Sequence, residues 1–517
     1  MKLKRKSLVS AGSLNRMLQA ADDSYKRGDF QQSIEILERA SRLDPANGEL
    51  LFLLGRVHGM NYDYAAAERC FEQAIRIAPD KREALATAER QCANFPSYNK
   101  LAEHYCRRVT EQDGASPEHL IKLARLYERR HRFEEASQLV DRALQLNGTF
   151  PHALLVRARL DRQVGRLEEA EQVLRSLLPV APLEIQVRGW YELGGILDRQ
   201  ARYDEAMTAF LEAKKLQIPL TESSFASLKE YRVRFETMQA NVSAEMLQHW
   251  RDDAPAFQPP RRLALLCGHA RSGTTLLEQV LDSHPDIISV EETGNFSNHA
   301  YDSLRRLFPY QADILPLLQA APISALQQAR ERYFHFVELF LGRPVGGRLL
   351  IDKNPALNQM IPAFIRFFPE VKFLVALRDP RDVCMSCFMQ FFPALAIPNC
   401  AYTSLERTVE EYASRIGIWR TLAPLIKNPH LEVRYEDMVD DLESMARRTL
   451  DFLGVPWDER VLRFDEHVKK KWVSSPTFAE VANPIYKRAV GRWRNYQKYL
   501  EPYLEKLEPF VKAFGYE

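Results

Sequence analysis

LALLCGHARSGTTLLEQVLDSHP, residues 263–285, reads as a strand, a tight loop and a helix in succession. Leu263–Cys267 is a short apolar run suited to a buried parallel strand, and Gly268–Gly273 is a glycine-bounded turn. From Thr274 the apolar residues Leu277 and Leu281 recur at helical spacing. A buried strand feeding a helix in this way predicts an α/β P-loop domain with a parallel sheet flanked by helices. The two glycines have the spacing of a Walker A loop, where backbone N–H groups and a helix N-terminus cradle an anion. Thr274 replaces the lysine of that loop, which argues against an ATPase or kinase. What remains is a backbone cradle for a compact anion, with Ser272, Thr274 and Thr275 as hydroxyl donors and Arg271 as the positive charge.

Upstream, Val242–Arg262 carries Asp252, Asp253, Pro255, Pro259 and Pro260; consecutive prolines end a helix, so a domain junction is expected there. Before it the chain repeats itself. Gly28-Asp29-Phe30, Ser33, Leu37, Ala40, Leu43 and Pro45 return 34 residues later as Tyr62-Asp63-Tyr64, Ala67, Phe71, Ala74, Ile77 and Pro79. The pattern continues through Phe133 and Ala136, Gly165 and Ala170, and Tyr203 and Ala206. Each unit reads as two short amphipathic helices, with Ala67, Ala136, Ala170 and Ala206 where the helices approach closely. This resembles the tetratricopeptide repeat over residues 14–217, with poorer units at 82–115. The resemblance implies an α-helical solenoid whose groove holds a peptide or protein partner, or one that only assembles the molecule. The expected organisation is a repeat solenoid at 14–220, a connecting segment at 221–260 and the α/β domain at 261–517.

The length of 517 residues suits two to four folding units. Lys+Arg 71 against Asp+Glu 69 leaves a net charge of +2, which argues against a nucleic-acid coat or a polybasic membrane binder. The basic N-terminus is not followed by a signal-like apolar stretch, and no run approaches a membrane span, so a cytoplasmic protein is expected. The seven cysteines lack paired ligand spacing, and Cys384-x-x-Cys387 reads as buried small residues rather than a zinc or redox site.

Downstream, Arg271-Ser272-Gly273-Thr274-Thr275-Leu276 resembles the 5′-phosphosulfate loop of the P-loop sulfotransferases, which use 3′-phosphoadenosine-5′-phosphosulfate (PAPS). That family follows a second strand with Arg and, eight residues later, Ser, which bind the 3′-phosphate of the donor; here a strand at Val371–Leu377 leads to Arg378 and Ser386. Two further blocks follow in family order, Val433–Met438 with Leu453–Trp457, and Pro484–Lys487 with Gly491–Trp493. The resemblance spans about residues 261–500 and implies transfer of a sulfuryl group to an acceptor hydroxyl, with no metal expected. It also implies that Tyr435 contacts the adenosine and that Thr477 and Arg492 support the phosphosulfate and 3′-phosphate end, where tyrosylprotein sulfotransferases carry Ser and Lys. Tyr486 and Trp493 are expected to pack.

Such a transfer requires a base for the hydroxyl proton and cations on the developing charge. Glu291-Glu292-Thr293 resembles the glutamate pair of the tyrosylprotein enzymes, whose second member is the base; this implies Glu292. Cytosolic small-molecule sulfotransferases use a histidine, so His269, His284 and His299 are rivals, with Asp352 a further one. Lys353, after the apolar run Leu349–Ile351, matches the family lysine beside the bridging oxygen. The glutamate pair favours protein tyrosine as acceptor, with the repeats presenting a peptide and Lys469, Lys470 and Lys471 offering a basic patch. A carbohydrate or small-molecule acceptor with purely structural repeats, a non-catalytic nucleotide-binding scaffold, and a homodimer all stay open.

Overall fold

Asp29 and Asp63 each accept a backbone N–H from three residues on, starting the second helix of a pair, while Pro117 and Pro151 occupy the first turn of two others. The computed structural model describes residues 11–92, 95, 100–112, 114–308, 313–393, 397, 399–469, 471 and 485–516. In it the repeat region forms twelve helices among the described residues: α1 Ala11–Lys26, α2 Phe30–Leu43, α3 Gly48–Met60, α4 Tyr64–Ile77, α5 Lys81–Cys92, α6 Lys100–Thr110, α7 Pro117–Arg129, α8 Phe133–Leu146, α9 Pro151–Gln163, α10 Leu167–Leu177, α11 Leu183–Arg199 and α12 Tyr203–Gln217. The poorer units at 82–115 are thus helical as well.

Small residues set the approach of the paired helices. Ala67, Ala136, Ala170 and Ala206 are fully buried, and a Cβ on Gly55 or Gly194 would lie 2.5 or 2.6 Å from the ring of Phe71 or Phe210. The turn into the second helix passes through left-handed backbone at one recurring register, at Gly28, Tyr62, His131, Gly165 and Ala201.

The segment expected to connect the two regions is mostly helical. α13 (Glu222–Ala240) and α14 (Ala244–Asp252) send Phe235, Met238, Leu247 and Trp250 into the core of the C-terminal domain, alongside Phe364 and Phe368. The prolines mark only the end of this helical pair, just before the sheet.

Among the described residues five strands follow, β1 Leu263–Gly268, β2 Ile287–Glu291, β3 Leu349–Lys353, β4 Lys372–Leu377 and β5 His430–Arg434, all parallel in the order β2-β3-β1-β4-β5. Alternate residues serve opposite faces: Leu265, Cys267, Leu350 and Phe373 enter one core, and Ala264, Leu266, Ile351 and Leu374 the other. From central β1 the chain runs out to one edge and returns through β3, and β4 and β5 then build the other side. A crevice therefore opens at the carboxyl ends of β1 and β4.

The solenoid and the α/β domain share a third core, in which Leu174, Leu193, Phe210 and Ala213 pack with Val383, Phe388, Tyr412 and Tyr496. Among the described residues no helix is long and apolar enough to cross a membrane.

Candidate active site

The loop after β1 leads into α15 (Thr274–Asp282), whose first-turn N–H groups receive no side-chain cap. Gly268 is required by its φ of +142 and by β4, since a Cβ there would lie 2.5 Å from the Ala376 carbonyl oxygen. Gly273 has a φ of +92 and lies under the Tyr435 ring, 2.7 Å from where its Cβ would stand. Asn358 fixes the base of the loop: its Oδ1 accepts the Gly268 N–H at 2.9 Å and its Nδ2 donates to the Gly268 carbonyl at 2.8 Å.

Arg271 takes left-handed backbone, φ +69, and its Nε donates to Ser386 Oγ at 3.0 Å. Arg378 donates from Nη1 to the Arg271 carbonyl at 3.1 Å and lies 4.9 Å over the Tyr435 ring. The two arginines expected at opposite ends of one nucleotide thus meet across the β1–β4 crevice. They open into a cleft of about 770 Å³ whose lining includes Gly273, Thr274, Thr275, Glu292, Ser386 and Arg492. Arg378 is buried, and its Nε has no hydrogen-bond partner among the described residues.

Glu292 stands on the cleft rim with 43% of its side chain exposed and left-handed backbone, φ +49; its N–H donates to the Lys353 carbonyl at 2.7 Å. Non-glycine residues seldom adopt such backbone, at a cost of about 1–2 kcal/mol, and both Arg271 and Glu292 do so beside the cleft. Lys353 is fully buried beneath the rim. Its Nζ donates to Glu292 at 2.7 Å and Glu291 at 3.1 Å, and lies 3.8 Å from Glu278 and 3.5 Å from Thr275 Oγ1. Burial opposes the ammonium charge, but Glu291, Glu292 and Glu278 more than offset it and hold Lys353 above the ordinary lysine value. In this conformation Lys353 faces carboxylates and approaches the anion loop only through Thr275.

The rival bases stand outside the cleft lining. His269 is buried against Tyr402 and Tyr412, and burial pushes it down to about 4. His299 stacks on Phe336 with ring centroids 3.5 Å apart and is pushed by burial down to about 3. His284 pairs with the Pro456 carbonyl and the Asp286 N–H. Asp352, raised by burial to about 7, accepts a 2.8 Å hydrogen bond from Tyr333 deep in the core.

Further expectations need correction or extension. Lys471 is not part of a free basic patch: it is half-buried and paired with Asp282 at 2.8 Å and Glu278 at 3.3 Å, and Lys469 pairs with Asp465. Lys470 and Thr477 lie outside the described residues. Trp493 packs under Arg381, 4.3 Å from its guanidinium, whereas Tyr486 joins the cleft lining. Cys384 and Cys387 are buried free thiols, raised by burial.

Sequence reasoning overlooked three anchoring residues, Asn358, Asp382 and Asp198. Asp382 accepts the N–H groups of Gly491 at 2.7 Å and Trp493 at 2.8 Å, and Asp198 pairs with Arg492. Asp382 lay within reach of inference, one helical turn before Ser386 on the helix Pro380–Phe388; nothing local marks the other two.

Residues 264–459 match the sulfotransferase family model, and residues 24–92, 129–189 and 187–217 match tetratricopeptide repeat models. An uncharacterized protein of Aquifex aeolicus is 24% identical over 349 residues, covering 66% of this chain and 44% of that protein. Protein-tyrosine sulfotransferase 1 of Danio rerio is 25% identical over 238 residues, covering 45% of this chain and 65% of the relative. The protein-tyrosine sulfotransferase of Drosophila melanogaster is 26% identical over 243 residues, covering 45% of this chain and 46% of the relative. The chain thus spans less than two thirds of these relatives. Among solved structures, the sulfotransferase domain of the Synechococcus PCC 7002 olefin synthase aligns at 20% identity and a TM-score of 0.36, covering 51% of this chain and 98% of that one.

Proposed function

Given that the chain joins tetratricopeptide repeats to a domain of the sulfotransferase family, we propose that it transfers a sulfuryl group from PAPS to an acceptor hydroxyl, with protein tyrosine the favoured acceptor. The observation that carries this reading is the meeting of Arg271, Arg378 and Ser386 in one crevice, with Glu292 on its rim. The cleft volume suits a nucleotide, and the orphaned Nε of buried Arg378 suits an anionic ligand.

PAPS, when bound, supplies the sulfuryl group and leaves as adenosine 3′,5′-bisphosphate. The loop from Arg271 to Thr275 and the start of α15 would hold the 5′-phosphosulfate, Arg378, Ser386 and Arg492 the 3′-phosphate, and Tyr435 the adenosine. Glu292 accepts the acceptor's hydroxyl proton, and Lys353 holds that carboxylate in place beside the loop.

A column of arginines supports an anionic acceptor segment on the solenoid. Arg125 of α7 is exposed by surface area, with no hydrogen bond or ion pair to the described residues, yet it is surrounded closely enough that loss of hydration first, and the like charges of Arg159 on α9 and Arg188 on α11 second, lower it to about 10. Arg188 also lies 4.6 Å over the ring of Phe391, which lines the cleft. The test is transfer of radiolabelled sulfate from PAPS to an acidic tyrosine peptide, a simple phenol and an oligosaccharide. Labelling of the peptide, weakened by Arg125→Glu chiefly through KM, is expected. Labelling of the oligosaccharide alone overturns the acceptor assignment, and labelling of none overturns the enzyme.

A further inference from the structure

Arg492 reaches the cleft from a one-turn helix, Arg492–Tyr496, anchored on both sides. Its backbone is fixed by Asp382, as described above. Its side chain is fixed by the other domain: Asp198, near the end of α11, engages Nε through Oδ1 at 3.1 Å and Nη2 through Oδ2 at 2.8 Å. The buried Tyr496 donates its hydroxyl to the same Oδ1 at 2.6 Å. The Tyr203 ring meets the edge of Tyr496 at 5.6 Å, and Asp204 pairs with Lys498 at 2.7 Å. A forked carboxylate contact sets the plane of a guanidinium and restricts beforehand a side chain that would otherwise lose rotamer freedom on binding. It occupies the Nε–Nη2 edge and leaves Nη1 unengaged by Asp198.

We infer that Asp198 is a positioning residue for the sulfuryl-donor site, so that the repeat solenoid completes nucleotide binding as well as flanking the acceptor. This rests on the reading that Arg492 holds the 3′-phosphate of the donor. Tyr496 locks Asp198, Asp198 orients Arg492, and Arg492 serves the pocket formed with Arg378 and Ser386.

The test is calorimetric titration of the full chain with adenosine 3′,5′-bisphosphate and with 5′-AMP, which lacks the 3′-phosphate. Asp198→Ala is expected to weaken bisphosphate binding about tenfold and leave 5′-AMP unchanged, with Tyr496→Phe shifting the bisphosphate in the same direction by less. If Asp198→Ala does not fold, Tyr496→Phe alone decides, since it deletes one hydroxyl and retains the ring. Unchanged or tighter bisphosphate binding overturns the inference, the tighter result showing that Asp198 competes with the phosphate. Equal loss of both nucleotides also overturns it, because that reports damaged structure. Arg492→Ala separates the premise: if it leaves the preference for bisphosphate intact, the 3′-phosphate role of Arg492 falls irrespective of Asp198.

Discussion

Glu292 and Lys353 share a 2.7 Å hydrogen bond, so the buried ammonium sets where on the rim the carboxylate stands. The same ammonium lies 3.5 Å from the Thr275 hydroxyl, so a single cation joins the carboxylate on the rim to the anion loop. Glu292→Gln is therefore expected to lower kcat about 10²–10⁴-fold, the usual worth of a general base, without weakening adenosine 3′,5′-bisphosphate binding. A variant with wild-type kcat would remove Glu292 as base. A second residue-scale consequence concerns buried histidines. His269 and His299 are lowered from the ordinary 6.5 to about 4 and about 3, so the unfolded chain binds their protons first as pH falls. Their stabilising contribution is complete above pH 6.5 and is lost toward pH 4 and 3. Asp352, raised to about 7 from 3.8, acts in reverse, and its contribution declines as pH rises across that range. The difference between wild type and His299→Phe isolates one group: from pH 6 to pH 4 the wild type is expected to lose about 1 kcal/mol per pH unit more than the variant in urea titrations. Parallel pH profiles would refute this. That the loop, Arg378, Ser386 and Glu292 would share one cleft was legible because each lies at the spacing of the resembled family's pattern; the burial of Lys353 was not, because it depends on Glu278 and Glu291 arriving from other elements.

The solenoid repeats its backbone as well as its sequence, and one position tests how far the two agree. Gly28 and Gly165 occupy the left-handed turn without strain, but Tyr62, His131 and Ala201 occupy it with a Cβ. Tyr62 has a compensating contact, since its hydroxyl accepts the Gly294 N–H at 3.2 Å, two residues from Glu292. Ala201 has only a methyl group to lose. Ala201→Gly is accordingly expected to stabilise the chain by about 1 kcal/mol, read as a rise in denaturant midpoint at unchanged slope, and a fall in midpoint would contradict the strain argument. The solenoid could be read from sequence because Pro45 and Pro79 set its period, and the sheet because β1, β3 and β4 each carry a short apolar run, Leu263–Cys267, Leu349–Ile351 and Phe373–Leu377. α13 was not read as a helix: its buried residues are only Leu228, Phe235 and Met238, too sparse to show a helical stripe against a proline-rich neighbour.

Across the whole molecule the solenoid is fastened near both ends. Asp29 lies 3.4 Å from Arg306 and the Tyr62 ring meets Phe340 edge-on at one end, while Gln217 donates to the Phe392 carbonyl at 2.8 Å and buried Lys214 donates to that of Tyr402 at the other. The later repeats also share a continuous core with the helix bearing Ser386, through Leu174, Phe210, Val383 and Phe388. An element whose apolar face is completed by another domain does not unfold independently of it. Helical circular dichroism, to which the solenoid and the C-terminal region contribute comparable helix, and fluorescence, with Trp190 in the solenoid and the other five tryptophans C-terminal to it, are expected to report one coincident thermal transition for most of the signal. Adenosine 3′,5′-bisphosphate at a hundredfold excess over its Kd adds about 2.7 kcal/mol to whatever unfolds with the site. Both probes should therefore move upward together. Two separate transitions, of which only the one dominating the fluorescence responds to nucleotide, would show that the repeats are an independent appendage and that their contacts with the cleft contribute nothing to holding it together.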